Sequence, residues 1–390
     1  MTAVRGAGAR GAMVRGAVVL VLFAASPDAQ QPPIRGLTAT AEISRAYDAI
    51  FDARFTDVPP LLTQTCPPAP RDACRLLEAV SLWWQIQLDP YNRTRDAAFE
   101  SRIDAAIPAI EAWTTREPNR AEAWFYLGGA YGARVQLRVL RGSRLAAARD
   151  GARIKESLER ALALDPGMAD AFFGIGLYHY YAAVAPPAAR MLRWLLLLPG
   201  GDRAAGLDEM RRAREGGLLV RDEADYQLHI VDVWYEKQYQ RALESLAVLT
   251  ARHPRNPHFR QATADILDFY IDDTAASLRT WQSLLDAARR REVESPEMAE
   301  VSARLGVASQ LDQLSQSEAA LEHLRAVIAS RPSAPFGAVA RAQLQLGDAL
   351  EHLGRRTESS AAYRAAIAAA GTDDPLRIAS RARVALRAQR

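Results

Sequence analysis

Lysine is almost missing from this 390-residue chain: Lys155 and Lys237 are the only two, so nearly all positive charge is arginine. Cysteine is nearly as scarce, with Cys66 and Cys74 alone. No C-x-x-C spacing exists for dithiol chemistry, and no further ligands stand near the pair to complete a zinc site. Strand signals are lacking too: no run alternates apolar with polar, and no Asn-Gly turn occurs, which excludes the β classes. The motifs of common catalysts are absent, with no H-E-x-x-H, no P-loop and no G-x-S-x-G. Gly6, Gly8 and Gly11 fit G-x-G-x-x-G by letter, but no strand precedes them. His253 and His258, on either side of Pro254 to Pro257, read as solvated turn residues. The pairs Asp272-Asp273 and Asp373-Asp374 read as helix starts. The residues therefore imply no catalytic group, no metal and no cofactor. The formal charge of +3 is small for 95 charged residues of both signs, so nucleic acid is not an expected partner.

What is abundant is Ala, Leu, Arg and Glu, a helix-forming composition. One segment, Trp124-Phe125-Tyr126-Leu127-Gly128-Gly129-Ala130-Tyr131, is followed by a helical pattern over Ile154 to Leu164 and by Pro166. Six residues on, Phe172, Ile175, Gly176 and His179 repeat the spacing. Weaker copies carry Tyr226, Ala242 and Pro254, then Leu305, Gly306, Ala320 and Pro332, then Leu346, Gly347 and Tyr363. The full W-x-x-L-G-x-x-Y match and its recurrence resemble tetratricopeptide repeat (TPR) proteins of the exported bacterial type. The resemblance implies an all-α solenoid of roughly six to eight antiparallel helix hairpins with a C-terminal capping helix. Small residues belong where the two helices of a hairpin touch. Prolines end second helices, because proline cannot donate the i to i−4 bond.

Two places depart from a plain repeat. Trp124 to Pro166 is longer than the Trp-to-Pro interval of an unmodified repeat, which lengthens each helix by ~10 Å. The extra segment, with Arg134, Arg138, Arg141 and Arg144 among apolar residues, is either a docking tip or packed on its neighbour. Between Ala182 and Asp202, Pro186-Pro187 and the run Met191 to Leu198 interrupt the repeat. Eight apolar residues cannot span a bilayer. The run is a buried helix or, if Trp194 to Leu198 are exposed, a peripheral membrane contact.

At the N-terminus, Arg5, Arg10 and Arg15 precede an apolar stretch, Ala17 to Ala25, and a small-residue site ending at Ala29, the layout of a secretory signal peptide starting at Met1 or Met13. Its removal would leave a charge near +1. Export to the periplasm or the periplasmic face of the outer membrane is the expectation, and there Cys66 and Cys74 could close a disulfide. The plan is a signal peptide at 1–29, an extended lead-in at 30–41, N-terminal hairpins at 42–119, elongated and interrupted hairpins at 120–221, TPR-like repeats at 222–371 and a capping helix at 372–390. Of the aromatics, Tyr178, Tyr181 and Trp234 are candidates for a concave groove. The expected function is a non-enzymatic envelope scaffold holding another envelope protein or an extended peptide. The alternative is a periplasmic module that binds glycan or another small ligand through those aromatics.

Overall fold

The computed structural model describes residues 32–185 and 200–389, and the signal-peptide and Trp194 to Leu198 expectations lie outside them. Within these residues seventeen helices follow one another with no strand beyond a single bridge. They are α1 (Thr40–Phe51), α2 (Val58–Thr65), α3 (Arg71–Leu88), α4 (Asp96–Arg116), α5 (Ala121–Leu140), α6 (Arg144–Leu164), α7 (Ala171–Val184), α8 (Arg203–Gly216) and α9 (Arg221–Val231). A π-helical turn, Asp232–Glu236, extends α9. The array continues with α10 (Tyr239–Arg252), α11 (Pro257–Phe269), α12 (Thr274–Arg289), α13 (Pro296–Gln313), α14 (Ser317–Ser330), α15 (Ala338–His352), α16 (Arg356–Ala370) and α17 (Ile378–Ala388). Successive helices pair as antiparallel hairpins, the odd-numbered helix first, and α17 closes the end. This is a TPR-like α-solenoid.

The local causes are plain. Pro118, Pro166, Pro254 and Pro332 each stand two residues past the end of α4, α6, α10 and α14, where the chain must leave the helix. Glycines set the closest approaches. A Cβ on Gly128 would lie 2.6 Å from Leu158 of α6, and one on Gly347 would lie 2.4 Å from the Tyr363 ring of α16. Gly176 of α7 meets the backbone of Gly206 in α8, a partner the repeat pattern does not announce. Gly306 differs: its space is taken by Trp281 of the preceding hairpin, 2.2 Å from a built Cβ. Ala242, Ala320 and Ala366 are fully buried. Side-chain caps come from Asp202, which accepts from Ala205 N, and Asp273, which accepts from Ala276 N. Asp374 accepts from Ile378 and Ala379, so α17 begins after the Asp-Asp-Pro turn that was expected to open it. Cys66 and Cys74 are joined, with Cα atoms 6.5 Å apart, and tie the end of α2 to the first turn of α3.

The N-terminal segment is the unexpected part. Instead of merely leading in, residues 34 to 52 run across the turns that open successive hairpins. Ile34 N donates to Asn119 O, and Ala121 N donates back to Ile34 O. Gly36 N donates to Asp165, and Thr38 gives both its N–H and its hydroxyl to the buried carboxylate of Glu122, at 2.7 and 2.8 Å. Farther on, Ser44 reaches Leu218 O, the Phe51 carbonyl accepts from Asn256, and Asp52 accepts from Arg255 N. Asp89, just past α3, accepts Phe336 N at 3.0 Å, 247 residues away. The first helices therefore lie along the inner side of the array as a strap.

Candidate functional site

A groove lined by first-helix residues is where a solenoid of this kind would hold a partner, and here much of it is filled from within. Trp84 of α3 is fully buried, with its ring 4.5 Å from Phe51 of α1, 4.9 Å from Tyr226 of α9 and 5.9 Å from Phe259 of α11. Tyr226 Oη accepts from Gln87 of α3 at 3.1 Å and lies 3.0 Å from His258 Nε2. The inner faces of α9 and α11 thus pack on α1 and α3.

His253 and His258 are consequently not the solvated turn residues expected. His253 is buried against Phe51 and Phe259 and bonds Asp222 at 2.7 Å. His258 faces Trp84 and Tyr226, and burial pushes its pKa down to about 4. Burial, with His258 beside it, takes His229 to about 3. The turn holding these residues is covered by α1, an arrangement with no local sequence signature. Among the described residues no group of histidine, cysteine and carboxylate side chains has the geometry to hold a metal ion.

The arginine tip is largely tied down. Asp150 of α6 is buried and accepts Arg134 through both oxygens, at 2.9 and 3.0 Å, and Arg138 as well. Arg141 clamps Asp96 and the Pro90 carbonyl. Arg144 is exposed, as is Val139, whereas Leu137 is buried. An open pocket of about 480 Å³ lies on this hairpin beside Tyr131 and Arg149.

The aromatics assemble elsewhere. Three successive first helices end in aromatic doublets: Tyr180-Tyr181 on α7, Trp234-Tyr235 on the π turn after α9, and Phe269-Tyr270 at the end of α11. Their rings form two clusters, which the neighbouring residues Trp234 and Tyr235 connect through the backbone. Tyr235 lies 5.8 Å from Tyr180 and 5.6 Å from Tyr181, Trp234 lies 6.2 Å from Tyr270, and Tyr239 lies 5.3 Å from Tyr270. Large parts face solvent: Trp234 is 68% exposed, Tyr235 44% and Phe269 72%. Trp234 lies within the π turn, whose i to i+5 bonding puts more residues in a turn and so rotates those that follow, and Gln238 N closes it on Asp232 O at 2.8 Å. Glu236 anchors it by accepting from Tyr180 Oη and from Arg203 at 2.5 to 2.8 Å.

Of the groove candidates, Tyr181 and Trp234 belong to this rim, while Tyr178 lies against Gly151 of α6. Sequence reasoning missed Phe269, Tyr270 and Tyr239. Aromatic doublets in the later part of three successive first helices are the signal that would have found Phe269 and Tyr270.

No protein-family model matches the chain, and no curated protein matches it either. Among solved structures it is similar to yeast Tom70, with a TM-score of 0.41 and 13% identity over 82% of this chain and 65% of that one. It is also similar to NprR in complex with its cognate peptide NprX, with a TM-score of 0.37 and 10% identity over 90% of this chain and 82% of that one. The chain thus spans 65% of the length of the Tom70 chain. Similarity this low carries neither function nor partner across, and the architecture rests on the hairpins of the chain itself.

Proposed function

We propose that this solenoid is a non-enzymatic scaffold of the bacterial cell envelope that holds another protein, or an extended peptide, along its aromatic rim. The observation that carries the reading is the pair of ring clusters, Tyr181 with Tyr235 and Trp234 with Tyr270, which with Phe269 span three hairpins and leave Trp234, Tyr235 and Phe269 largely in solvent. Contiguous exposed aromatic surface is costly to leave in water and marks an interaction site. Tyrosine and tryptophan are the residues that dominate binding energy when covered. The location is proposed from the N-terminal leader pattern and is supported by the Cys66–Cys74 disulfide, a bond that persists in oxidising compartments.

Crosslinking in intact cells with a C-terminally tagged chain, followed by fractionation and mass spectrometry, tests both parts. The expected result is one reproducible envelope protein, lost on Trp234→Ala plus Phe269→Ala. That pair should change the unfolding free energy by less than about 1 kcal/mol, because the rings are exposed. Capture that is indifferent to the pair refutes the rim. Recovery of the chain alone, with a melting temperature raised by a glycan, would transfer the rim to the small-ligand alternative.

A further inference from the structure

The strap meets the array at a buried carboxylate that has no partner. Glu223 stands in the first turn of α9 at 4% exposure, and neither of its carboxylate oxygens has a hydrogen bond. Trp84 of α3 and Gln136 of α5 approach it, Asp222 stands beside it in its own helix, and its charge acts on Tyr47 of α1 and on Tyr226. Trp84 Nε1 and the Gln136 amide approach without closing a bond of normal geometry, and Trp84 Nε1 is itself left without an acceptor. Asp170, from the turn before α7, and Tyr126 of α5 act on the same tyrosine, Tyr47. None of these neighbours is a cation, and the charged one that acts on Glu223, Asp222, repels it. Asp222 is itself engaged by His253 and Arg252.

A carboxylate in such a place is costly charged and cheap neutral. The two surfaces around it are separate parts of the chain: α1 and α3 on one side, α5 and α9 on the other. We propose that the proton on Glu223 sets how tightly the N-terminal strap seats on the array, so that α1 and α3 form a pH-governed cover over the inner aromatic faces of α9 and α11. With the proton bound, the interface buries a neutral acid. Without it, seating must bury an unpaired negative charge, and undocking gives that charge back to water.

The direction in pH follows. Burial, ahead of the approaching Trp84 and Gln136 dipoles, raises the pKa of seated Glu223 to about 7, above its ordinary 4.5. The seated form therefore holds the proton more tightly than the unseated one. Its advantage is complete below the ordinary value and is lost as pH rises through about 7.

The test uses the full chain and needs no partner, so it stands or falls apart from the rim. Amide hydrogen exchange, expressed as protection factors, is followed in α1 and, for reference, in α16 from pH 5 to pH 8. In the wild type, protection of α1 should fall on the order of a hundredfold across that range while α16 holds. In Glu223→Gln, which keeps the shape and cannot ionise, protection of α1 should be flat. Protection of wild-type α1 that does not change with pH overturns the proposal without any variant. So does a pH-dependent fall that persists in Glu223→Gln.

Discussion

Replacing two glycines by the same residue should change stability in opposite directions. Gly132 sits inside α5 with nothing within 4 Å of the place a Cβ would occupy. Alanine there gains only the helix propensity, about 0.8–1 kcal/mol. Gly347 sits inside α15 under the Tyr363 ring, with Cε1, Cδ1 and Cζ at 2.4, 2.5 and 3.0 Å from a built Cβ. The ring is poorly placed to swing aside, because its hydroxyl is held by Asp348 and Glu351, both at 2.8 Å, and the residue is 1% exposed. Overpacking of this sort costs about 1–3 kcal/mol, and a pinned ring places it at the upper end. After the propensity gain, Gly347→Ala should lose about 2 kcal/mol where Gly132→Ala gains about 1. Urea midpoints from helical circular dichroism measure both. The double variant Gly347→Ala with Tyr363→Leu should recover part of the loss relative to Tyr363→Leu alone, a coupling that only direct contact produces. Equal midpoints for the two alanine variants would refute the close approach of α15 and α16 on which the hairpin geometry rests.

Reducing the Cys66–Cys74 bond, whose partners are eight residues apart, should cost roughly 2–3 kcal/mol through loop entropy. The cost is checked by urea midpoints with and without reductant, and an unchanged midpoint would deny the bond. Asp170, buried before α7, accepts the Leu218, Leu219 and Val220 amides at 3.0, 2.7 and 3.0 Å and so anchors the start of α9. In Asp170→Asn a donor replaces one acceptor oxygen against those N–H groups. The expected loss is about 3 kcal/mol, with hydrogen exchange faster at 218–220 than in α16, and uniform exchange would contradict the anchor.

The legible part of this fold is the part written in neighbouring residues. Proline two positions past a helix, Gly128 three before Tyr131, and Asp202 ahead of α8 each act within one turn, so pattern and structure agree there. The strap is written nowhere locally. Thr38 looks like any threonine until Glu122 is beside it, and His253 looks solvated until Phe51 covers it. The rim was half visible. Tyr181 and Trp234 could be picked out as candidates, but the placing of Trp234 and Tyr235 in separate ring clusters is set in a π turn that repeat spacing does not announce. The arginines of the tip read as a surface because Asp150 and Asp96, which hold them, lie 12 and 45 residues from Arg138 and Arg141.

A plain repeat array couples each hairpin only to the next, so it can unzip from an end and fold from any nucleus. The bonds from Ile34, Phe51 and Asp89 to residues 119, 256 and 336 remove that freedom. During synthesis the first helices must wait, their inner aromatic face uncovered, until most of the chain has been made. Sequence separations of 200 and more raise the contact order above that of an ordinary solenoid and slow the final step. Once closed, the hairpins from α1 to α15 should melt as one cooperative unit, and a deletion at the N-terminus should be felt at the far end of the array.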